Sequence, residues 1–278
     1  MCDIKENPME FLVSIYNFVN TQMETPTNYS PFHLICVGVM LLITVLLVTA
    51  FKKASDRTVR GLAGFLWVTI VILEIIKQLL FGFSVEDGRL VWDYAWYAFP
   101  FQFCSSPLYI LPIVAFARDG KLRDAAIVFL ATFSLFAGTC VYVFPNDVFT
   151  SQLFICIQTM VHHGVQVFFG VYLAFRYRDK MNFKGLVRAT GVFTALAAIA
   201  MLINLGAHYL FPLIGIEDTL NMFYISPFEN CTLPLLSMVD EALPYLPFLC
   251  VYIFGFMLCA GLIMLIMKGL VKITKYGK

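Results

Sequence analysis

The chain has 278 residues, of which 60% are hydrophobic and only 13% charged, and its formal net charge is +1. A soluble domain is about half apolar and about a quarter charged, so the composition excludes an ordinary soluble enzyme and indicates a polytopic membrane protein. No basic stretch with interleaved aromatic residues occurs, which removes nucleic acid as a partner.

Residues 1–28 contain no span, and no signal peptide is evident. Within them Met9–Val19 alternates apolar and polar residues, which fits either a segment lying along the membrane interface or a disordered tail. Residues 29–278 read as one transmembrane domain. Crossing a bilayer takes about 20 mostly apolar residues. Seven stretches qualify: 31–51, 61–83, 94–117, 124–145, 150–175, 185–212 and 243–267. The expected fold is all-α, a seven-transmembrane-helix bundle.

The basic residues are sorted by side. Lys52, Lys53, Arg57 and Arg60 follow span one, and Arg118, Lys121 and Arg123 follow span three. Arg176, Arg178, Lys180, Lys184 and Arg188 surround the turn after span five, and Lys268, Lys272, Lys275 and Lys278 end the chain. That places 16 of 19 basic residues on one side, against Lys5 and Arg89 on the other. The positive-inside bias then predicts an outer N-terminus and a cytoplasmic C-terminus. The outer connections are acidic, and the longest of them, 213–242, carries Pro227 and Pro234 and reads as a re-entrant or interfacial element. Asn28-Tyr29-Ser30 and Asn230-Cys231-Thr232 on that side are glycosylation sequons if the chain passes through a eukaryotic secretory pathway.

Of eight cysteines, none forms a Cys-x-x-Cys or a Cys/His cluster at zinc spacing. Neither a metal nor a cofactor is expected. Cys2 and Cys231, both on the outer side, are the pair that a disulfide would join. No internal repeat supports an inverted-repeat transporter.

Polar groups inside the spans carry the functional question, because lipid tolerates them poorly. At about 1.5 Å per residue, Cys104 in span three and Glu74 in span two both lie about 14 Å below the outer end. His163 in span five lies about 18 Å down, and Asn204 and His208 in span six about 12 and 6 Å. One shared cavity, opening outward or sideways into the outer leaflet, would account for the common layer. In span five Gln152, Cys156, Thr159, His163 and Gln166 follow helical spacing and share a face. That face is either a cavity lining or a polar seam bonding helices together. His162 points elsewhere, nearer Gln158, which makes His163 the preferred candidate. Pro100, Pro107 and Pro112 should kink span three and expose polar backbone around Cys104. Glu74 pairs with Lys77 at i+3 and precedes Gln78, either as a structural ion pair or as a group that orients a histidine or holds a headgroup. His33, near the start of span one, is expected at the interface.

The stretch Phe99-Pro100-Phe101-Gln102-Phe103-Cys104-Ser105 resembles the "LPLHLCS" segment of YwaF-type bacterial membrane proteins. His163-Gly164, Asn221-Met222-Phe223-Tyr224 with Pro227, and Glu74 resemble further features of that group, which is related to the eukaryotic transmembrane protein 164 family. The resemblance implies acyl transfer to lyso-ether phospholipids through a membrane-embedded cysteine and histidine. More distant relatives of the androgen-induced type hydrolyse lipid esters. By that resemblance Cys104 takes the nucleophile position and His163 the base, while Gln102 stands where the bacterial motif has a histidine.

The expectation is an integral, multi-pass lipid acyltransferase or phospholipid acyl hydrolase, in the plasma membrane of a bacterium or an endomembrane of a eukaryote. Its partners would be a membrane phospholipid and a lysophospholipid. Cys104, His163 and Glu74 would be catalytic; Gln102, Ser105, Lys77, Thr159, Gln166, Asn204 and His208 would line the substrate site. The alternatives are a transporter or receptor binding a small polar ligand in the same outward cavity, and a purely structural partner protein.

Overall fold

The computed structural model describes residues 8–145 and 148–274. Cys2, and with it the expected Cys2–Cys231 pairing, lies outside the described residues, as do Lys5, Lys275 and Lys278.

The chain is mostly helical, and six helical runs are long and apolar enough to cross a membrane. They are α2 (Pro31–Ala50), α3 (Asp56–Gly82), the composite run α5 (Lys121–Phe129) and α6 (Leu135–Val143), α7 (Leu153–Arg176), α8 (Phe183–Leu210) and α10 (Tyr245–Ile273). Their starts follow local chemistry. The Ser55 hydroxyl accepts from the Thr58 N–H ahead of α3, and Asn182 accepts from Gly185 N ahead of α8. Pro31 opens α2, where its missing N–H costs nothing. Six stretches of the hydropathy pattern thus coincide with these runs to within a few residues.

The stretch 94–117 is different. It holds a 3-10 turn at Trp96–Ala98, extended backbone at Phe99, a second 3-10 turn at Phe103–Ser105 and the ten-residue helix α4 (Pro107–Phe116). Pro100 holds Phe99 out of the helical region, with φ −50° and ψ 131°. The expected full-length helix is therefore broken, and its proline content is the reason. The all-α expectation also needs a small correction. α3 runs into an antiparallel hairpin, β1 (Phe83–Glu86) and β2 (Arg89–Trp92). Asp87 and Gly88, at φ 47° and 72°, close it with the positive-φ pair that a tight two-residue turn demands.

α7 is the central helix. Most of it is buried, and it packs on α2, α3, α6 and α10. A π-helical segment, Leu130–Ser134, joins α5 to α6. Two glycines allow α7 to approach this run closely. A Cβ on Gly138 would fall 2.7 Å from the Gln166 Cβ and 2.8 Å from the His163 carbonyl, and one on Gly170 would fall 2.7 Å from the Leu130 carbonyl. α2 and α10, by contrast, expose rows of Leu, Ile and Val such as Leu34, Val45, Leu258 and Leu262, the kind of apolar surface that lipid covers.

One end of the bundle is a charged knot. Arg123, 3% exposed, donates to Asp56 and Asp119 (both 2.9 Å) and to the Val114 carbonyl (3.0 Å). Arg60 joins Asp56 (2.8 Å), Asp119 (2.7 Å) and the Ala117 carbonyl (2.6 Å). Tyr177 donates to Asp56 at 2.5 Å, and burial together with that bond raises its phenol above the ordinary value, so it stays a donor. Arg176 binds the Ala54 carbonyl, and Lys180 binds Asp124. The basic turns after α2, α4 and α7 therefore meet.

At the opposite end α1 (Pro8–Val19) is an ordered helix with no buried residue, which decides between the interfacial segment and the disordered tail in favour of a helix lying on the bundle. Tyr16 bonds the Phe83 carbonyl (2.7 Å), and Gln22 pairs with Gln152. The connection from α8 to α10, which includes α9 (Leu236–Ala242), is no free loop: Leu220, Met222, Phe223, Ile225 and Ser226 are buried. His33, expected at the interface, is fully buried. Its Nδ1 accepts from Tyr29 N and its Nε2–H donates to the Tyr142 carbonyl, both at 3.0 Å.

Candidate functional site

The broken stretch before α4 has few backbone partners of its own, so side chains from its neighbours hold it. Pro107 stands three residues after Cys104 and has no N–H, which leaves the Cys104 carbonyl open. Two α7 side chains fill it: His162 Nε2–H at 2.9 Å and Gln166 Nε2–H at 2.6 Å. Upstream, Gln78 donates to the Ala98 carbonyl (2.9 Å) and Tyr109 to the Pro100 carbonyl (2.6 Å). Irregular backbone at membrane depth persists only where protein satisfies it in this way.

Cys104 itself is half-buried in the 3-10 turn Phe103–Ser105, three residues ahead of the first residue of α4.

Glu74 is buried, and its carboxylate is fully engaged. Oε1 accepts from Lys77 (3.1 Å) and Gln78 (2.7 Å), and Oε2 accepts from Gln158 (3.4 Å). Tyr94 completes the group by donating to Gln78 Oε1 at 2.5 Å. Among the described residues no imidazole is hydrogen-bonded to Glu74, whose carboxylate holds Lys77, Gln78 and Gln158.

The histidines exchange places relative to expectation. His163 Nδ1–H donates to the Thr159 carbonyl of its own helix (2.7 Å), close to the Thr159 hydroxyl (3.3 Å). His162, expected to point away, is the histidine bonded to the Cys104 segment. Their rings lie 5.6 Å apart. Both are 4% exposed, and each keeps one ring nitrogen without a hydrogen-bond partner, Nδ1 in His162 and Nε2 in His163. Gln166 Oε1, Ser106 Oγ and Ser134 Oγ are buried and unpartnered too. Neither free ring nitrogen is bonded to the Cys104 sulfur. The void bordered by Gln166, Ser134 and Pro107 has no room for a water molecule.

The remaining candidates separate from this cluster. Gln102 donates to the Asn221 carbonyl (3.0 Å) and accepts from Phe223 N (2.8 Å). Asn204 does the same for Met222, accepting from its N–H (2.7 Å) and donating to its carbonyl (3.1 Å). Both amides clamp the connection between α8 and α10, where Phe223 and Tyr224 adopt φ of 59° and 56°. A neutral imidazole also offers one donor and one acceptor, so histidine and glutamine can fill the same clamp at position 102. His208 is exposed and stacked on Phe228 (3.4 Å between centroids). Gln152 bonds Asn20 (2.7 Å) and Cys156 bonds Thr150, so the outer part of the α7 stripe ties down neighbouring segments.

Gln158, His162 and Tyr94 were not among the expected site residues, whereas Gln78 was placed beside Glu74. The four-residue spacing of Gln158 and His162 was visible, yet only the packing of α7 against α3 and the Cys104 turn reveals a second polar face. Among the described residues no group of three or more His, Cys, Asp or Glu is placed to hold a metal.

Six helical runs long enough and apolar enough to cross a membrane, one of them the polar central helix α7, define an integral, multi-pass membrane protein. Residues 28–268 match the model of the TMEM164 family, and the chain belongs to that family. No curated protein and no solved structure matches it.

Proposed function

We propose that the protein is a membrane-embedded acyltransferase or phospholipid acyl hydrolase that works through a thioester on Cys104. The observation that carries this proposal is the setting of Cys104. It lies on irregular backbone whose carbonyl is gripped by His162 and Gln166 of the central helix, and the same broken stretch is tied through Gln78 to the buried Glu74–Lys77 pair.

We assign the base role to His162, whose ring is bonded to the Cys104 carbonyl, with the His163 ring 5.6 Å from it. The free Nδ1 of His162 takes the thiol proton, and the thiolate attacks an ester carbonyl of a phospholipid. The tetrahedral intermediate collapses, the ester C–O bond breaks, and the imidazolium returns the proton to the departing lysophospholipid hydroxyl. A second lysophospholipid, or water, then gives its proton to the imidazole and attacks the thioester, and the thiol is restored. Dividing transfer into two steps is what a covalent nucleophile contributes. The Ser105 hydroxyl is the donor assigned to the oxyanion, worth about 3 kcal/mol where well aimed. The contacts between sulfur and ring nitrogen that this chemistry needs commonly tighten only with substrate bound.

For topology we propose seven crossings, with the broken stretch 94–116 as the third, an outer N-terminus and a cytoplasmic C-terminus. The hairpin after α3 and the Arg60 contacts to Ala115 and Ala117 lie at opposite ends of α3, so the intervening chain has to traverse the bundle. The clustered basic turns support a cytoplasmic assignment for their end.

The test is purified protein in liposomes with labelled phospholipid and lysophospholipid. Cys104→Ser and His162→Ala are each expected to lower product formation by about a hundredfold or more. Undiminished product from both variants would reject the mechanism.

A further inference from the structure

Between α6 and α10, on the apolar surface of the bundle, lies an open crevice of about 230 Å³. Phe136, Thr139, Cys140 and Val143 form one wall, and Cys259 and Leu262 the other. Small side chains at facing positions leave the gap. The one hydroxyl in the lining is turned away: Thr139 donates to the Leu135 carbonyl at 2.7 Å, so its methyl group faces the crevice. Cys140 is exposed and Leu262 is 60% exposed, so the crevice opens onto the membrane-facing side. A wholly apolar space does not hold water, and in a bilayer the solvent that reaches it is hydrocarbon.

Its floor leads toward the cysteine. Phe136 meets Phe256 edge-on at 6.2 Å, and Phe256 meets Phe103 edge-on at 5.0 Å. Phe103 immediately precedes Cys104. The rings of Phe136, Phe256 and Phe103 thus run in sequence from the crevice wall to the sulfur-bearing turn.

We propose that the α6–α10 crevice is a slot for one acyl chain of a membrane phospholipid, and that Phe256 is the partition between that chain and the Cys104 segment. Occupancy by a chain stands on the crevice itself; delivery to Cys104 rests on the acyl-transfer proposal. A bulk annular lipid touches all exposed helices alike, whereas a slot retains one chain in preference.

The experiment uses the full-length protein in phosphatidylcholine liposomes containing a trace of phosphatidylcholine with a diazirine in its acyl chain. After illumination, adducts are mapped by mass spectrometry. Labelling of 139–144 and 259–263 is expected to exceed that of Leu41, Leu42 and Val45 on α2 several-fold, although those three are 54–59% exposed. Equal labelling of the two regions would overturn the proposal. Cys140→Phe and Cys259→Phe fill the slot from opposite walls. Each should abolish the excess while labelling of α2 stays constant, which also reports that the variant is folded; persistence of the excess in both would again overturn it. Excess labelling in a protein with no transferase or hydrolase activity would support the slot and reject the chemistry. Activity without excess labelling would reject the slot alone.

Discussion

His162 donates its Nε2–H to the carbonyl of Cys104 at 2.9 Å, across the contact between the central helix and the broken stretch before α4. Gln166, one turn along, donates to the same oxygen at 2.6 Å. One carbonyl freed by Pro107 therefore anchors the candidate nucleophile to the most buried helix of the bundle. Removing the Gln166 donor should cost about 1 kcal/mol, the scale of interhelical hydrogen bonds in membranes. Gln166→Glu should cost more than Gln166→Leu, because a carboxylate would face a carbonyl with no proton to share. Thermal unfolding of the two variants in detergent checks the order; a Gln166→Glu variant at least as stable as Gln166→Leu would contradict it.

The clamp at position 102 predicts a different order. Gln102 both donates and accepts, and a neutral histidine can do the same. Gln102→His should therefore preserve hydrogen-exchange protection of the Met222–Tyr224 amides, and Gln102→Leu should lose it. Asn204→Leu strands both backbone groups of Met222 and should destabilise by about 3 kcal/mol. Exchange measured by mass spectrometry on peptides covering 220–226 distinguishes these outcomes.

The charged knot separates a strong pair from a weak one. Asp56→Ala deprives Arg123, which is almost fully buried, of its nearest carboxylate on α3, with an expected loss of about 3 kcal/mol. Asp119 is 79% exposed in its side chain, and its contacts are screened by solvent. Asp119→Ala should cost about 0.5 kcal/mol. Comparable unfolding midpoints for the two variants would show that burial of Arg123 does not govern this end of the bundle.

Two glycines in crossing helices should respond with opposite signs. Gly138→Ala pushes a Cβ into Gln166 and the His163 carbonyl and should destabilise by about 1–3 kcal/mol. Nothing lies within 4 Å of a Cβ at Gly191 in α8, so Gly191→Ala should stabilise by about 0.5–1 kcal/mol. Unfolding midpoints moving in the same direction would refute the close α6–α7 approach as the cause.

Much of the scaffold was legible in the residues alone. Hydropathy runs located the six long helical runs, because crossing length and apolar content are local properties of each segment. The basic residues of separate turns were assigned to one side, and Arg60, Arg123, Arg176 and Lys180 do meet at one end of the bundle. Pro100 and Pro107 announced a kink around Cys104, because a missing N–H acts on its own turn; the structure takes it to a full break. Glu74 and Lys77 at i+3 are paired.

What the tertiary structure alone decided is where each polar side chain points. A helix at the centre of a bundle has partners on every side, so the single stripe read along α7 could not reveal that His162 bonds the Cys104 carbonyl while His163 turns back to Thr159. Nor could it show that Gln102 and Asn204 grip a distant connection, that His208 stacks on Phe228, or that His33 is sealed inside. Periodicity gives the angle of a residue about its own helix. The identity of the atom waiting at that angle belongs to another segment of the chain, and only packing brings the two together.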